Sequence, residues 1–202
     1  MSLSTEKCKL LFEESIQVKT AIISSGILES IKVMGIQASS SIQKQKKLML
    51  CGNGGSAADA QHLAAEMLIR LRPKNNRIGL PAITLAQDTS TITACGNDFG
   101  YNNLFERMVQ SLGQNGDILI AITTSGNSDN IILAMKQARK MGIKVFGFLG
   151  CGGGKALELC DEAFVVPSYN TGRIQESHIT AGHALMEFIE DKLIEDGYMV
   201  LE

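Results

Sequence analysis

From Lys47 onward, short apolar runs alternate with stretches of helical spacing. The runs fall at 47–51, 81–86, 117–122, 144–149 and 163–167 and predict strands. Helices are predicted over 56–71, near 88–95, over 128–141 and from about 172 to 196, with a short helix after the glycines at 150–154. Pro167 and Gly172 punctuate the approach to the last helix, and Gly197 stands where a C-cap glycine belongs. Strands alternating with helices predict an α/β fold, a parallel sheet with helices on both faces. The 47–196 core follows a helical N-terminal extension, residues 1–44, and together they are expected to form one domain.

In that extension Ile16, Ile23, Ile27, Ile31 and Met34 hold helical spacing. The pattern predicts a shorter helix and then a long one that ends near the cluster Lys44–Lys47. Ile22, Leu28, Val33 and Ile36 lie on further faces, so this segment must bury more than one side, within the fold or against another subunit. We expect the second in part, with the N-terminal helices serving oligomer packing.

Two apolar runs empty into turns of small residues that open a helix, Cys51-Gly52-Asn53-Gly54-Gly55-Ser56 and Thr123-Thr124-Ser125-Gly126-Asn127-Ser128. Free backbone N–H groups and the positive end of the helix dipole favour an anion there, and hydroxyls add directed donors. One N-cap residue suffices to start a helix, whereas the second turn carries four hydroxyls in six residues. Two such turns at the carboxyl ends of strands predict a phosphorylated small molecule held between them. Asn97-Asp98 reads as a turn whose side chains can contact sugar hydroxyls, and Gly150–Gly154 reads as a loop.

Asp59, His62 and Glu66 share one stripe of the 56–71 helix, which is otherwise rich in Ala, Leu and Met. A solvated face would carry the same spacing, so two readings stand at this point. On the last helix His178 points roughly 140° away from His183 and is expected to be structural. Gln175 and His183 are about 12 Å apart along that helix and reach a common atom only by leaning together. His62, Glu66, Gln175 and His183 would then offer two imidazoles, a carboxylate and an amide oxygen to zinc or a similar divalent ion, although glutamine is an uncommon ligand.

Composition narrows the function class. A chain of 202 residues with 45% hydrophobic and 20% charged residues is an ordinary globule. A net charge of −2 gives no reason to expect nucleic acid or an anionic membrane as partner. No apolar run approaches the ~20 residues of a membrane span, and Glu6, Glu13 and Glu14 interrupt any signal-like region. Five scattered cysteines without a C-x-x-C pair suggest reduced thiols in a cytoplasmic protein.

The blocks C-G-N-G-G-S at 51–56, D-A-Q-H-x-A-A-E at 59–66, G-N-D-F-G at 96–100, T-S-G-N-S at 124–128 and R-I-Q-E-x-H at 173–178 resemble the SIS (sugar isomerase) domain family, and within it the phosphoheptose isomerases. The resemblance runs from about residue 48 to 190 and implies a flavodoxin-like three-layer fold. It further implies a cytoplasmic homotetramer, with active sites at subunit interfaces, that converts sedoheptulose 7-phosphate to D-glycero-D-manno-heptose 7-phosphate on the way to bacterial surface heptose. By resemblance Glu66 and His183 are the catalytic pair. His62, Glu66, Gln175 and His183 match the metal positions of zinc-bearing members. Asn53, Gly54, Gly55, Ser56, Glu66, Arg70, Asn97, Asp98, Thr123, Thr124, Ser125, Ser128 and Gln175 match substrate positions. The chain departs from the family at Met67-Leu68-Ile69, where Leu-Thr-Gly is frequent, and at Gly172, where Asp is frequent. A non-catalytic relative that binds the replication initiator has lost the catalytic pair, which this chain retains.

Overall fold

A computed structural model describes residues 4–85 and 88–201. Strands β1 (Leu48–Gly52), β2 (Ala82–Thr84), β3 (Ile118–Thr123), β4 (Lys144–Leu149) and β5 (Glu162–Val165) form one parallel sheet in the order β2-β1-β3-β4-β5. The helices are α1 (Thr5–Ser24), α2 (Leu28–Gln43), α3 (Gly55–Leu68), α4 (Thr89–Asp98), α5 (Leu104–Leu112), α6 (Asp129–Lys140) and α7 (Thr171–Glu195), with 3-10 turns at Tyr101–Asn103 and Cys151–Leu159.

Every residue of β1 and β3 is buried, which explains why these strands read as unbroken apolar runs. Alternate residues feed two cores. Leu48, Leu50, Ile118, Ile120, Phe146 and Phe148 face a layer of α2, α3 and α7. Met49, Cys51, Leu119, Ala121 and Val145 face α5 and α6 through Phe105, Val109, Ile131 and Met135. At the amino ends of the strands buried Asp117 ties β1 to β3, accepting from the backbone N–H groups of Lys47 at 3.0 Å and Gln114 at 2.8 Å and pairing with Lys47 Nζ at 2.5 Å.

The predicted parallel sheet between helical layers is the observed one, with corrections at several elements. The N-terminal helices reverse the expected lengths: α1 has 20 residues and α2 has 16, because Gly26, at φ 76°, breaks the segment later than expected. α3 ends at Leu68 rather than 71, since the backbone leaves helical geometry at Ile69 and the carbonyls of Glu66 and Met67 bond to Arg77 instead. Asn97-Asp98 is the last turn of α4 and not a loop turn, closed by Phe99 N–H donating to Cys95 O at 2.9 Å. α5 has no counterpart in the predicted pattern. Of the strand expected at 81–86 the structure shows Ala82–Thr84, and its predicted last residue lies outside the described residues.

His178 is fully buried as expected, between Phe148 and Phe164 and 3.0 Å from Leu149 O through Nε2. Burial pushes its pKa from 6.5 down to about 4. The unfolded chain therefore takes up the proton first. The stability this neutral ring confers is complete above about pH 6.5 and is lost as pH falls toward 4. We expect about 2 kcal/mol of the stability present at pH 7 to disappear by pH 5 on this account. Denaturant titrations at both pH values should show that loss in the parent chain and a much flatter response in His178→Gln.

Candidate active site

The two small-residue turns stand side by side because β1 and β3 are neighbours, and the order 2-1-3-4-5 places its switch point between them. The side chains of Asn53 and Asn130 join the turns by reciprocal amide hydrogen bonds, each 2.9 Å. Tyr101 OH adds a third bond, to Asn53 Oδ1 at 2.8 Å. Gly54 adopts φ 56° ahead of α3, a conformation that favours glycine, and no side chain caps the helix. The N–H groups of Ser56 and Ala57 donate to Asn53 O at 3.0 Å and Gly54 O at 3.1 Å, which closes the turn onto the start of α3.

In the second turn Ser128 precedes α6 without using its hydroxyl as a cap, and Thr123 Oγ1 lies 3.2 Å from Ser128 Oγ. Ser125 Oγ accepts from Asn127 N–H at 3.1 Å, which shapes the exposed tip. The glycine loop that follows β4 supports this turn from behind. Gly152, Gly153 and Gly154 have φ values of 74°, 91° and 53°. A Cβ on Gly126 would stand 2.0 Å from Gly153 O, so the two backbones touch. Ala156 N–H donates to Gly126 O at 2.9 Å and Lys155 N–H to Asn127 Oδ1 at 3.2 Å. The consecutive glycines signalled this backing role in the sequence, where they read only as a loop.

The side chains expected to act as acid and base come from α3 and α7. A Cβ on Gly182 would lie 2.6 Å from Leu63 Cδ1, so the missing side chain lets the helices approach closely. The residues that follow on one helix and precede on the other then meet. His62 Nε2 and His183 Nε2 are 2.8 Å apart, and Glu66 Oε1 is 3.4 Å from His62 Nε2. At that separation one imidazole donates its proton to the other, giving a proton shared beside a carboxylate. The stripe Asp59–His62–Glu66 is therefore not merely a solvated face. Asp59 Oδ2 is buried without a hydrogen-bond partner, and burial raises the Asp59 pKa against the opposing influence of His62 and His183. Sequence reasoning placed Asp59 on the stripe but gave it no role in the site.

Gln175 takes a different place. Its Nε2 rests where a Cβ of Gly55 would come within 2.1 Å, so the half-buried amide lies against the start of α3. Arg70 is exposed beyond the end of α3, and Asn97 and Asp98 bond to each other at 2.7 Å on the exposed end of α4. Two further residues of the 173–178 block hold α1: Arg173 donates to Leu11 O, and Glu176 accepts from Ser15 Oγ at 2.7 Å.

Two imidazoles, a carboxylate and an amide oxygen are donors that zinc accepts. Tetrahedral Zn–N bonds of about 2.05 Å would set the two ring nitrogens about 3.3 Å apart. His62 and His183 must therefore open by about half an ångström, and among the described residues no three His, Cys, Asp or Glu side chains already stand in a ligand cluster. The donor types fit such an ion once the pair opens and the Gln175 amide turns from the start of α3 toward it.

The SIS domain family model matches residues 12–150. A phosphoheptose isomerase of Aquifex aeolicus is 47% identical over 190 residues, covering 94% of this chain and 98% of the relative. One from Clostridium acetobutylicum is 46% identical over 90% of this chain and 92% of its own length. The solved phosphoheptose isomerase of Neisseria gonorrhoeae superposes with a TM-score of 0.86 at 38% identity, covering 92% of this chain and 98% of its own. That of Francisella tularensis gives 0.88 at 35%, covering 94% and 100%. With its two small-residue turns and its paired imidazoles beside a carboxylate, the chain belongs to the phosphoheptose isomerases of the SIS domain family.

Proposed function

We propose that this chain isomerises sedoheptulose 7-phosphate to D-glycero-D-manno-heptose 7-phosphate through an enediol, in heptose biosynthesis. The observation that carries the reading is the convergence of Glu66 and His183 on His62, from two helices. Ketose-to-aldose conversion needs a base on carbon and an acid on oxygen. The Glu66 carboxylate takes a proton from C1 while His183 delivers one to O2, which gives the enediol. Withdrawal of the O1 proton and return of a proton to C2 give the aldose, with no net gain or loss of atoms. The 123–128 turn, with its hydroxyls and the α6 N-terminus, takes the 7-phosphate, assisted by Asn53, Gly54, Gly55 and Ser56. Arg70, Asn97, Asp98 and Gln175 complete the substrate contacts.

A divalent ion, zinc by donor type, would be held by His62, Glu66, Gln175 and His183. When bound it supplies Lewis-acid stabilisation of the enediolate oxygens. Oligomer formation is supported by α1, which buries only Ile22 and exposes Phe12 at 72%, Ile16 at 63% and Ile23 at 69%. We assign this face to a homotetramer with active sites at its interfaces, acting in the cytoplasm. Among the described residues no single helix is long and apolar enough to cross a membrane.

Turnover of sedoheptulose 7-phosphate in deuterated water, followed by NMR, should give aldose labelled at C2, and failure to form aldose overturns the proposed activity. In the same assay Glu66→Gln should bind substrate and lose about 10²- to 10⁴-fold in kcat; near-normal kcat removes Glu66 as the base. Elemental analysis should find close to one divalent ion per chain and none in His62→Ala, whereas metal-free protein at full activity would leave these side chains to the substrate alone. Light scattering should return four times the 21.8 kDa chain mass, and Phe12→Asp with Ile16→Asp should lower it.

A further inference from the structure

The segment between α3 and β2 carries Arg70, Arg72, Lys74 and Arg77, and one of these cations is buried. The Arg77 side chain is 2% exposed and so is its partner Glu190 on α7, with Arg77 Nε 2.5 Å from Glu190 Oε2. The other Arg77 donors reach backbone carbonyls. Nη2 donates to Glu66 O at 2.9 Å, and Nη1 donates to Met67 O at 3.0 Å and to Ile78 O at 2.9 Å. Glu190 Oε1 accepts in addition from Arg72 Nε at 2.7 Å and Asn75 Nδ2 at 2.5 Å, and Arg72 also pairs with Asp191.

The place of this cluster gives it meaning. α3 ends at Leu68, so the carbonyls of Glu66 and Met67 lack partners within the helix. Arg77 supplies donors to both from outside, joined at Met67 O by Leu80 N–H at 3.0 Å, and braces the final turn that carries Glu66. At the other end of the cluster, Glu190 lies seven residues beyond His183 on α7, two turns on and within roughly 20° of the same face. One guanidinium thus bridges the backbone of the proposed base and the helix that bears the proposed acid. Its planar fork suits the task, because four donor contacts in one plane fix both position and angle, which an ammonium group cannot do. A buried ion pair is seldom a better stabiliser than apolar packing of the same volume, so stability alone does not account for it.

We propose that Arg77 and Glu190 are positioning residues for the isomerisation, holding the Glu66 carboxylate in register with His183 without touching substrate. The inference rests on Glu66 being the base.

The test uses the full chain and sedoheptulose 7-phosphate. Arg77→Lys and the nearly isosteric Glu190→Gln should lower kcat about 10- to 100-fold at a temperature where melting curves show each variant folded, while KM changes less than about twofold. Lys47→Met breaks a partly buried ion pair at the opposite end of the strands and serves as a comparison for stability loss without an effect on kcat. In a Glu66→Gln background, whose own residual turnover tests the base assignment separately, Arg77→Lys should cost less than about threefold further. Parental kcat in folded Arg77→Lys or Glu190→Gln overturns the proposal. So does a loss confined to KM, a loss matched by Lys47→Met, or an undiminished effect of Arg77→Lys in the double variant.

Discussion

Gly182 on α7 lets that helix come close to Leu63 of α3, and Gly55 on α3 leaves room for the Gln175 amide. At Gly182 a Cβ would collide with Leu63, and at Gly55 it would collide with the amide of Gln175. Because interiors are packed to crystal-like density, a methyl group at either point would have to displace a helix or a side chain. The 2.8 Å contact of His62 with His183 exists only at the present spacing. The same helix is held on its other sides by Phe188 against Gly35 of α2, by His178 at the carboxyl end of β4 and by Arg173 and Glu176 against α1. α7 therefore carries the acid–base geometry and the attachment of the N-terminal helices together, so a shift of one is felt by the other.

The half of the site proposed to bind the phosphate uses a different physics. Neither turn contains a lysine or arginine. What the turns present is amide dipoles, hydroxyls and the ends of α3 and α6, which would be fixed before the proposed phosphate arrives. Fixed dipoles bind well only if they do not relax, and the structure supplies stiffness on two sides. The reciprocal Asn53–Asn130 bonds lock the turns to each other, and the backbone of Gly153 and Gly154 lies against Gly126. Close approach of two backbones accounts for glycine at 126 and 154, whereas nothing lies within 4 Å of a Cβ on Gly152.

What could be read from the sequence was what depends on neighbours along the chain. The apolar runs of β1 and β3, the hydroxyls after Ile122 and the polar stripe of α3 are local patterns with local causes, and each came through with boundaries shifted by a few residues. α5 escaped because its nine residues begin straight after Gly100 and the polar pair Asn102-Asn103, so its short apolar stripe sits behind loop chemistry. The end of α3 escaped because the group that stops it, Arg77, lies nine residues beyond Leu68 and looks like any other charge in a basic loop. Burial of that cation depends on Glu190, 113 residues away, and no periodicity couples the two. The same holds for Asp59, whose stripe position was visible while its unpartnered buried oxygen was not. Polar groups buried by distant partners are the features a single sequence conceals most thoroughly. In this chain they lie directly behind the residues proposed to do the chemistry, because holding a carboxylate and an imidazole on separate helices at a working distance requires contacts that span the fold.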